Sequence, residues 1–220
     1  MWDWSYAASI LPRLLSALQV TFVATAWSFV LACTLGLVLA VLSRSRFVVI
    51  RLTVNGVSEF IRRTPLLVQI FFLFYSIPLL TGISLSALAT GIIGLGLHYS
   101  TYMSQVYRSG IEGIDKGQWE AAKALNFTPV RTWSAIILPQ AVPPILPIMG
   151  NYLIVIFKET PLLAAITVVE LLTTAKNINA RDWRPFEPYT IVGVLFLLIS
   201  LAVAFLAGWL ENRIKHRYSR

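Results

Sequence analysis

Four long stretches of the chain contain no Asp, Glu, Lys or Arg, and they dominate its pattern. They comprise residues 14–43, 64–107, 132–157 and 188–210. Because a membrane-spanning helix needs about 20 apolar residues, the second stretch has room for two spans and each of the others for one. The stretches are continuously apolar and do not alternate, which favours helices over a β-barrel. The pattern predicts an all-α polytopic membrane protein with about five transmembrane helices, forming a single domain over residues 1–220.

Proline and charge interrupt two of the five predicted spans. The spans cover about 15–42, 52–78, 85–106, 141–172 and 189–210. The second is expected to enter the membrane near Pro65, and the fourth is broken at Lys158-Glu159-Thr160-Pro161. The chain is polar over 107–132, where we expect a short helix at 117–125. Thr128 followed by Pro129 is typical of the start of another helix.

Composition and charge placement support a membrane protein. The chain is 57% hydrophobic and 13% charged, with a mean hydropathy of +0.72, whereas a soluble domain is about 25% charged. Its net charge of +8 could indicate nucleic-acid binding, but most basic residues lie on one predicted side. That side carries Arg44, Arg46, Arg51, Arg62, Arg63, Arg108, Lys116, Lys123, Arg131, Arg213, Lys215, Arg217 and Arg220. The positive-inside rule then predicts an external N-terminus, a cytoplasmic C-terminus and no nucleic-acid partner.

Sequence motifs of enzymes are missing from the chain. It has no P-loop motif and no Gly-x-Ser-x-Gly nucleophile motif. Its only histidines are His98 and His216, and its only cysteine is Cys33, so a metal or haem site is not expected. We therefore predict no catalytic residues, no metal ligands and no cofactor in this chain.

A spaced motif in the polar stretch carries a family resemblance. It consists of Glu120, Ala121, Ala122, Asn126, Ile136, Leu138 and Pro139. This resembles the cytoplasmic EAA loop of ABC importer permeases, written EAA, three residues, Gly, nine residues, Ile-x-Leu-Pro. Asn126 stands where the family usually has Gly. The resemblance implies an ABC type I importer permease fold, with residues 107–139 as the coupling loop contacted by the ATPase subunits.

The residue types in this loop suit a docking helix. Ala121 and Ala122 have small side chains, so we expect their backbone to seat deeply in a groove on a partner. Glu120 can pair with a basic group of that partner, cap its own helix, or pair internally with Lys116. Asn tolerates left-handed backbone better than most residues, so a helix can end at Asn126.

Other segments are similar to one subfamily, the polar amino acid permeases. Residues 59–69 resemble its Arg-x-Thr-Pro-Leu-Leu-x-Gln segment, and 158–163 with Glu170 and Leu171 resemble its Lys-Asp-Thr-Ser-Leu segment with a later Glu-Leu. Residues 96–102 and 117–120 are more narrowly similar to ectoine/hydroxyectoine permeases. The spacing of Glu59, Arg62 and Arg63 is that of a helix ion pair, interpreted as structural at the membrane face.

These resemblances imply a subunit of an ATP-driven importer of the inner membrane, moving polar amino acids or related zwitterions such as ectoine by alternating access. The implied partners are ABC ATPase subunits that bind ATP and magnesium, a second permease (a copy or a homologue), and an extracytoplasmic solute-binding protein. Two alternatives are an ATP-independent channel and a polytopic membrane enzyme. A channel does not need the EAA motif, and an enzyme needs clustered His, Cys or carboxylate residues.

Ionisable residues inside a predicted span indicate where a substrate path can lie. Lys158 and Glu159 cost about 3 kcal/mol each in lipid, so such residues usually face a cavity, a partner or another charge. Two interpretations stay open: a polar pocket on the path, or charges near the outer interface that support the helix break. The other candidate path residues are Gln69, Tyr99, Tyr102 and Asn151.

Overall fold

The computed structural model describes the backbone of residues 2–218, and their side chains except at 210, 211 and 214–218. The predicted basic anchors Lys215, Arg217 and Arg220, and also His216, fall outside the described side chains. All regular structure in the described part of the chain is helical, as the sequence pattern predicts.

Ten α-helices, some joined by tighter or wider turns, follow one another along the described chain. They are α1 (Trp4–Leu42), α2 (Val48–Arg63), α3 (Leu66–Phe71), α4 (Ile77–Thr81), α5 (Ala87–Glu112), α6 (Lys116–Ala124), α7 (Pro129–Thr132), α8 (Leu138–Glu159), α9 (Leu171–Asp182) and α10 (Phe186–Tyr218). The π-helical turns Phe72–Ser76 and Trp133–Ile137 connect α3 to α4 and α7 to α8. A 3₁₀ segment, Thr160–Ile166, continues α8.

Within residues 2–218, three helical segments are long and apolar enough to cross a membrane, namely Trp4–Leu42, Pro129–Ile166 and Phe186–Trp209. The pair Val48–Arg63 and Leu66–Thr81 passes the same test together, although it is bent by 105°. The second predicted span, expected to enter the membrane near Pro65, is therefore a sharply bent pair of helices. Its break coincides with Pro65, which fixes its own φ and disfavours helical geometry in the residue before it.

Helix α5 is less apolar than these segments, because its middle is polar and aromatic from His98 to Tyr102. It is nevertheless the central helix, and it packs tightly against α1. A Cβ on Gly36 would lie 2.5 Å from Met103 Cβ, and one on Gly96 would lie 2.5 Å from Leu31 Cδ2. Only glycine allows the two backbones to approach so closely. Helix α5 has 26 residues. Together with the three apolar segments and the bent pair, it gives one helical unit for each of the five predicted spans.

A second, smaller core joins α9 to the beginning of α1 and of α10. It contains Ile10, Leu14, Leu171, Ala175, Ile178 and Val192. The fully buried Glu170 caps α9 by accepting hydrogen bonds from Leu172 N (2.8 Å) and Thr173 N (2.7 Å). The chain between the fourth and fifth predicted spans thus contains a capped, packed helix on the same side of the bundle as the N-terminus.

Candidate functional site

Local contacts fix the start of α6, the helix that carries the EAA motif. The Asp115 carboxylate accepts a hydrogen bond of 2.6 Å from Gly117 N. The ring of Trp119 meets the ring of Trp133 edge to face, with centroids 5.4 Å apart. Gln140 on α8 donates to the Gln118 side chain at 3.2 Å. The helix is therefore attached to the base of the α7–α8 span, which follows it in the chain.

Asn126 terminates α6 in the left-handed conformation, with φ = 54°. Asn126 N donates to Lys123 O, and Phe127 N donates to Ala122 O, each at 3.0 Å. This hydrogen-bond pattern is a Schellman motif, in which the residue after the helix needs a positive φ. The family usually has Gly at this position, and Asn is among the few other residues that adopt this conformation readily. The predicted helix end at Asn126 is confirmed.

The two alanines of the motif lie in different environments. Ala121 is exposed, as is Glu120, whereas Ala122 is only 1% exposed and packs inside its own chain. The side of α6 that carries Ala122 thus faces the α7–α8 span of the same chain, and the side that carries Ala121 is open. The structure shows no ion pair between Glu120 and Lys116, both of which it describes.

Two exposed apolar residues join the outer face of α6, and the sequence motif does not include them. Leu125 is 66% exposed and Val130 is 78% exposed. In the same loop, Arg131 stacks over the Phe127 ring at 4.5 Å. Apolar residues within an otherwise polar loop are the sequence signal that could have identified this surface. We call Glu120, Ala121, Leu125 and Val130 the docking face.

The second half of the motif forms the base of the loop. Ile136 is half-buried, Leu138 is 45% exposed, and Pro139 is exposed at the beginning of α8. Ile136 O accepts a hydrogen bond of 2.8 Å from the Gln140 side chain. These residues therefore shape the turn from the loop into the span, and only part of their surface is available to a partner.

A second candidate region lies inside the bundle, where α5 meets α8. The rings of Tyr99, Tyr102 and Tyr152 are mutually 5.8–6.1 Å apart, and His98 lies 5.2 Å from Tyr99 and 5.4 Å from Tyr102. The Glu159 carboxylate lies close enough to the Tyr99 hydroxyl to interact with it electrostatically. We call these residues (His98, Tyr99, Tyr102, Tyr152 and Glu159) the tyrosine–glutamate cluster.

One atom of this cluster lacks a partner. Glu159 Oε2 is buried and accepts no hydrogen bond from the described residues. A buried polar group without a partner costs about 1–3 kcal/mol, and a charged one more. Such an oxygen, beside aromatic ring faces, is chemically suited to a cationic or hydrogen-bond-donating group.

The other candidate path residues are not all drawn into the cluster. Lys158 and Asn151 are exposed, so they do not join Glu159 in it. Gln69 is half-buried and fully engaged with the backbone near Thr64 and with His98. Tyr152 was missed by the sequence argument. Its spacing from Glu159 is seven residues, two helical turns, and would have placed both on one face of α8.

Electrostatic contacts hold together the end of the bundle where α1 begins. Arg184 bonds to Asp3 at 3.2 Å, and the Tyr6 hydroxyl donates to Asp182 at 2.8 Å. The Ser5 hydroxyl hydrogen bond, followed by the Tyr6 amide, lowers the pKa of Asp3 to about 2. The adjacent Arg181 and then Tyr6 lower the pKa of Asp182 to about 2. These contacts tie the N-terminus to the end of α9.

Residues 32–216 match the family model of the binding-protein-dependent transport system inner membrane component. The chain is 44% identical to the probable amino-acid ABC transporter permease protein y4tG of Sinorhizobium fredii, covering 97% of this chain and 92% of that protein. It is 30% identical to the putative glutamine transport system permease protein GlnP of Rickettsia typhi, covering 95% and 97% respectively.

Solved structures give the same result. The fold matches the crystal structure of an amino acid ABC transporter with histidines at a TM-score of 0.90 and 30% identity, covering 97% of this chain and 99% of that one. An inward-facing structure of the MetNI methionine ABC transporter matches at a TM-score of 0.69 with 17% identity, a likeness of fold alone. The chain belongs to the binding-protein-dependent inner-membrane transport components, among the permeases of amino-acid ABC transporters.

Proposed function

We propose that this chain is the permease subunit of an ATP-driven importer and that its docking face couples it to an ATPase. The observation that carries the proposal is the rigid presentation of that face. An Asp cap, a Schellman motif and the Trp119–Trp133 contact fix α6 on the end of a membrane span. A force on α6 therefore reaches the α7–α8 span without being absorbed by a flexible loop.

The substrate class follows from the tyrosine–glutamate cluster and the relatives. We infer a polar amino acid or a related zwitterion, with ectoine as one case. Its cationic part would approach Glu159 Oε2 and the tyrosine rings, where a cation–π contact contributes about 0.5–2 kcal/mol. A bound cation would also supply the partner that this buried oxygen lacks.

Partners and orientation complete the proposal. Two ATPase subunits would bind ATP and magnesium, a second permease (a copy or a homologue) would complete the membrane part, and a solute-binding protein would deliver the substrate. The N-terminus would lie outside the inner membrane and the C-terminus in the cytoplasm, as the positions of the basic residues suggest. Binding and hydrolysis of ATP would drive alternating access through rigid movements of the helices.

The two other function classes lack a comparable supporting feature. An ATP-independent channel gives no reason for a capped helix that presents alanine, leucine and valine to the cytoplasm. A membrane enzyme needs a set of convergent reactive groups, and the described residues contain no group of three or more His, Cys, Asp or Glu able to hold a metal ion.

Reconstitution tests the proposal. The chain is purified alone and together with its partner ATPase, and each preparation is inserted into liposomes with the cognate binding protein. We expect ATP-dependent uptake of a zwitterionic substrate from the combined subunits and none from the chain alone. Uptake by the chain alone, at the rate of the combined subunits, would favour a channel.

A further inference from the structure

The side chain of Gln69 bridges the bend between α2 and α3. Pro65 has no N–H with which to donate to Ile61 O, the acceptor four residues earlier in a continuous helix. Gln69 Nε2 lies 2.7 Å from that oxygen, closer than any other donor to it. It also lies 3.1 Å from Thr64 O and 2.6 Å from Thr64 Oγ1. The Gln69 amide nitrogen thus takes the place of the missing backbone donor and stabilises the bent geometry.

The other end of the same amide joins the bend to α5. Gln69 Oε1 lies 3.1 Å from His98 Nδ1. Because an amide oxygen only accepts hydrogen bonds, His98 Nδ1 carries the proton of this bond. On the opposite side of the bend, Arg62 Nη1 donates to Thr101 O at 3.0 Å. Two tethers therefore attach the bend to adjacent turns of α5, one from each helix.

Helix α2 is otherwise loosely held. Ser58 is its only buried residue, and Glu59 bonds Arg62 and Arg63 within α2 itself. A cavity of about 440 Å³ lies inside the bend, lined by Phe60, Ile61, Thr64, Gln69, Leu73 and Leu97 among others. The bend thus has space on its inner side, and its angle depends mainly on the two tethers.

The tethers lie on a continuous mechanical route from the docking face. Helix α5 runs unbroken to Glu112, and α6 begins at Lys116. Glu112 also pairs with Arg108 at 3.4 Å and with Arg44, in the turn between α1 and α2, at 3.6 Å. A displacement of α6 therefore acts on α5 directly, and α5 in turn acts on α2 at both of its ends.

The same tether reaches the tyrosine–glutamate cluster. The His98 ring that binds Gln69 is in contact with the rings of Tyr99 and Tyr102. A change in the angle of the bend pulls on His98, and a displaced His98 changes the packing of both tyrosines. The bend is thus physically connected to the docking face and to the substrate path.

We propose that Gln69 and His98 are positioning residues for transport: their hydrogen bond makes the α2–α3 bend the joint that converts movement of α6 into a change of the tyrosine–glutamate cluster. This inference rests on the proposed importer function. It reassigns Gln69 from a substrate contact to a residue that acts through His98, because its amide is already engaged on both sides.

The test uses the intact complex of permease and ATPase, with three variants. Gln69→Leu removes both the Nε2 donor to the bend and the Oε1 acceptor for His98. His98→Phe removes Nδ1 but keeps a ring against the tyrosines. His98→Asn is the conservative variant, since its amide can donate to Gln69 Oε1. Gln19→Leu is the matched control, because Gln19 is exposed on α1 and the chemical change is the same.

The first readout is the amount of substrate transported per ATP hydrolysed. We expect Gln69→Leu and His98→Phe to hydrolyse ATP within about twofold of wild type but to transport at least about fivefold less per ATP, the lower end of ordinary coupling energies. We expect His98→Asn to recover most of the loss and Gln19→Leu to behave as wild type. Normal transport per ATP in His98→Phe would overturn the proposal, including when Gln69→Leu does not assemble.

The second readout is the angle of the bend. Spin labels replace the exposed residues Val57 and Leu80 in a Cys33→Ser background. We expect their separation to change between the nucleotide-free and the ATP-trapped complex, and this change to shrink in His98→Phe. An unchanged separation in a wild-type complex that transports would overturn the proposal that the α2–α3 bend acts as a joint. A wild-type complex with no ATP-dependent transport would instead contradict the proposed function.

Discussion

The docking face and the tyrosine–glutamate cluster are built in opposite ways. Every contact that shapes α6 comes from residues 115–140, close together in the chain. The cluster combines side chains from α5 and α8, and its tether to Gln69 adds α3. The first is a local structure exposed to water, and the second exists only when the bundle is packed.

Under the proposed function, this difference means that substitutions in the two regions affect different free energies, those of ATPase binding and of substrate binding. A substitution on the exposed docking face is expected to change the affinity for a partner and to leave the fold intact. In the bundle interior, polar groups are desolvated and each unmatched partner costs about 1–3 kcal/mol. A substitution there is expected to change substrate handling while the ATPase still docks.

The largest effect is expected from Glu159→Gln. The change keeps the size of the side chain but removes the negative charge beside the tyrosine rings. We expect substrate transport to fall about tenfold or more, since a hydrogen bond to a charged group contributes about 1.5–3 kcal/mol. Uptake by proteoliposomes over a full substrate titration measures it, with yield of the assembled complex as the control. Wild-type uptake, or a failure to assemble, would remove Glu159 from the path.

Glu170→Gln is the matched carboxylate in the same part of the chain. Both Glu170 oxygens accept backbone hydrogen bonds at the start of α9, whereas a glutamine has only one oxygen to accept them. We expect a lower unfolding midpoint, corresponding to about 1 kcal/mol for a weakened helix cap, and unchanged transport per assembled complex. If Glu170→Gln instead lowers transport as much as Glu159→Gln, the distinction between a structural and a path carboxylate fails.

The two alanines of the docking helix provide the next contrast. Ala121→Arg adds a large charged group to the exposed side, so we expect weaker ATPase docking with a normal unfolding midpoint. Ala122→Arg overfills a packed site inside this chain, with an expected cost of about 1–3 kcal/mol in stability. Co-purification of the ATPase and thermal unfolding in detergent distinguish the two effects. Equal docking by wild type and Ala121→Arg would show that the ATPase binds elsewhere.

A smaller effect is expected at the end of the docking helix. Asn126→Ala removes the short polar side chain that lets Asn adopt the left-handed conformation, at a cost of about 1 kcal/mol, while Asn126→Gly keeps the conformation without strain. We expect the alanine variant to bind the ATPase more weakly and the glycine variant to match or exceed wild type. Titration of the detergent-solubilised permease with the ATPase measures both. Identical affinities for all three proteins would show that this turn does not position α6.

The smallest effect concerns the contacts of Asp3 and Asp182 and their dependence on pH. The pKa values of Asp3 and Asp182 are lowered from 3.8 to about 2. A lowered pKa stabilises the folded state above the unfolded value and loses that contribution as the pH falls through the folded one. We therefore expect no loosening of the N-terminal segment between pH 8 and pH 5, and loosening between about pH 4 and pH 2. Hydrogen exchange of the N-terminal peptide measures this, with Asp3→Asn loosened at every pH as the control.

The docking helix could be predicted closely because its signals are local. The predicted helix 117–125 differs by one residue at each end from α6, and the caps at Thr128 and Asn126 follow from residue type alone. The buried side of α6 could not be predicted, since the packing of Ala122 depends on the α7–α8 span.

The cluster could be predicted only in part. A charge within an apolar run identified Glu159, but nothing in the local sequence separates it from Lys158, which faces outward. Tyr99 and Tyr102 gain their significance from Tyr152 on another helix. The 105° bend at Pro65 was expected as an entry point into the membrane, and its angle depends on tethers to α5.

ATP dependence of uptake tests the central claim most directly. Proteoliposomes containing this permease and its ATPase receive substrate-loaded binding protein outside and either ATP or a non-hydrolysable analogue inside. The account predicts uptake with ATP but not with the analogue, and this uptake is reduced by Ala121→Arg through weaker docking and by Glu159→Gln with docking intact. Equal uptake with ATP, with the analogue and with no ATPase present would contradict it.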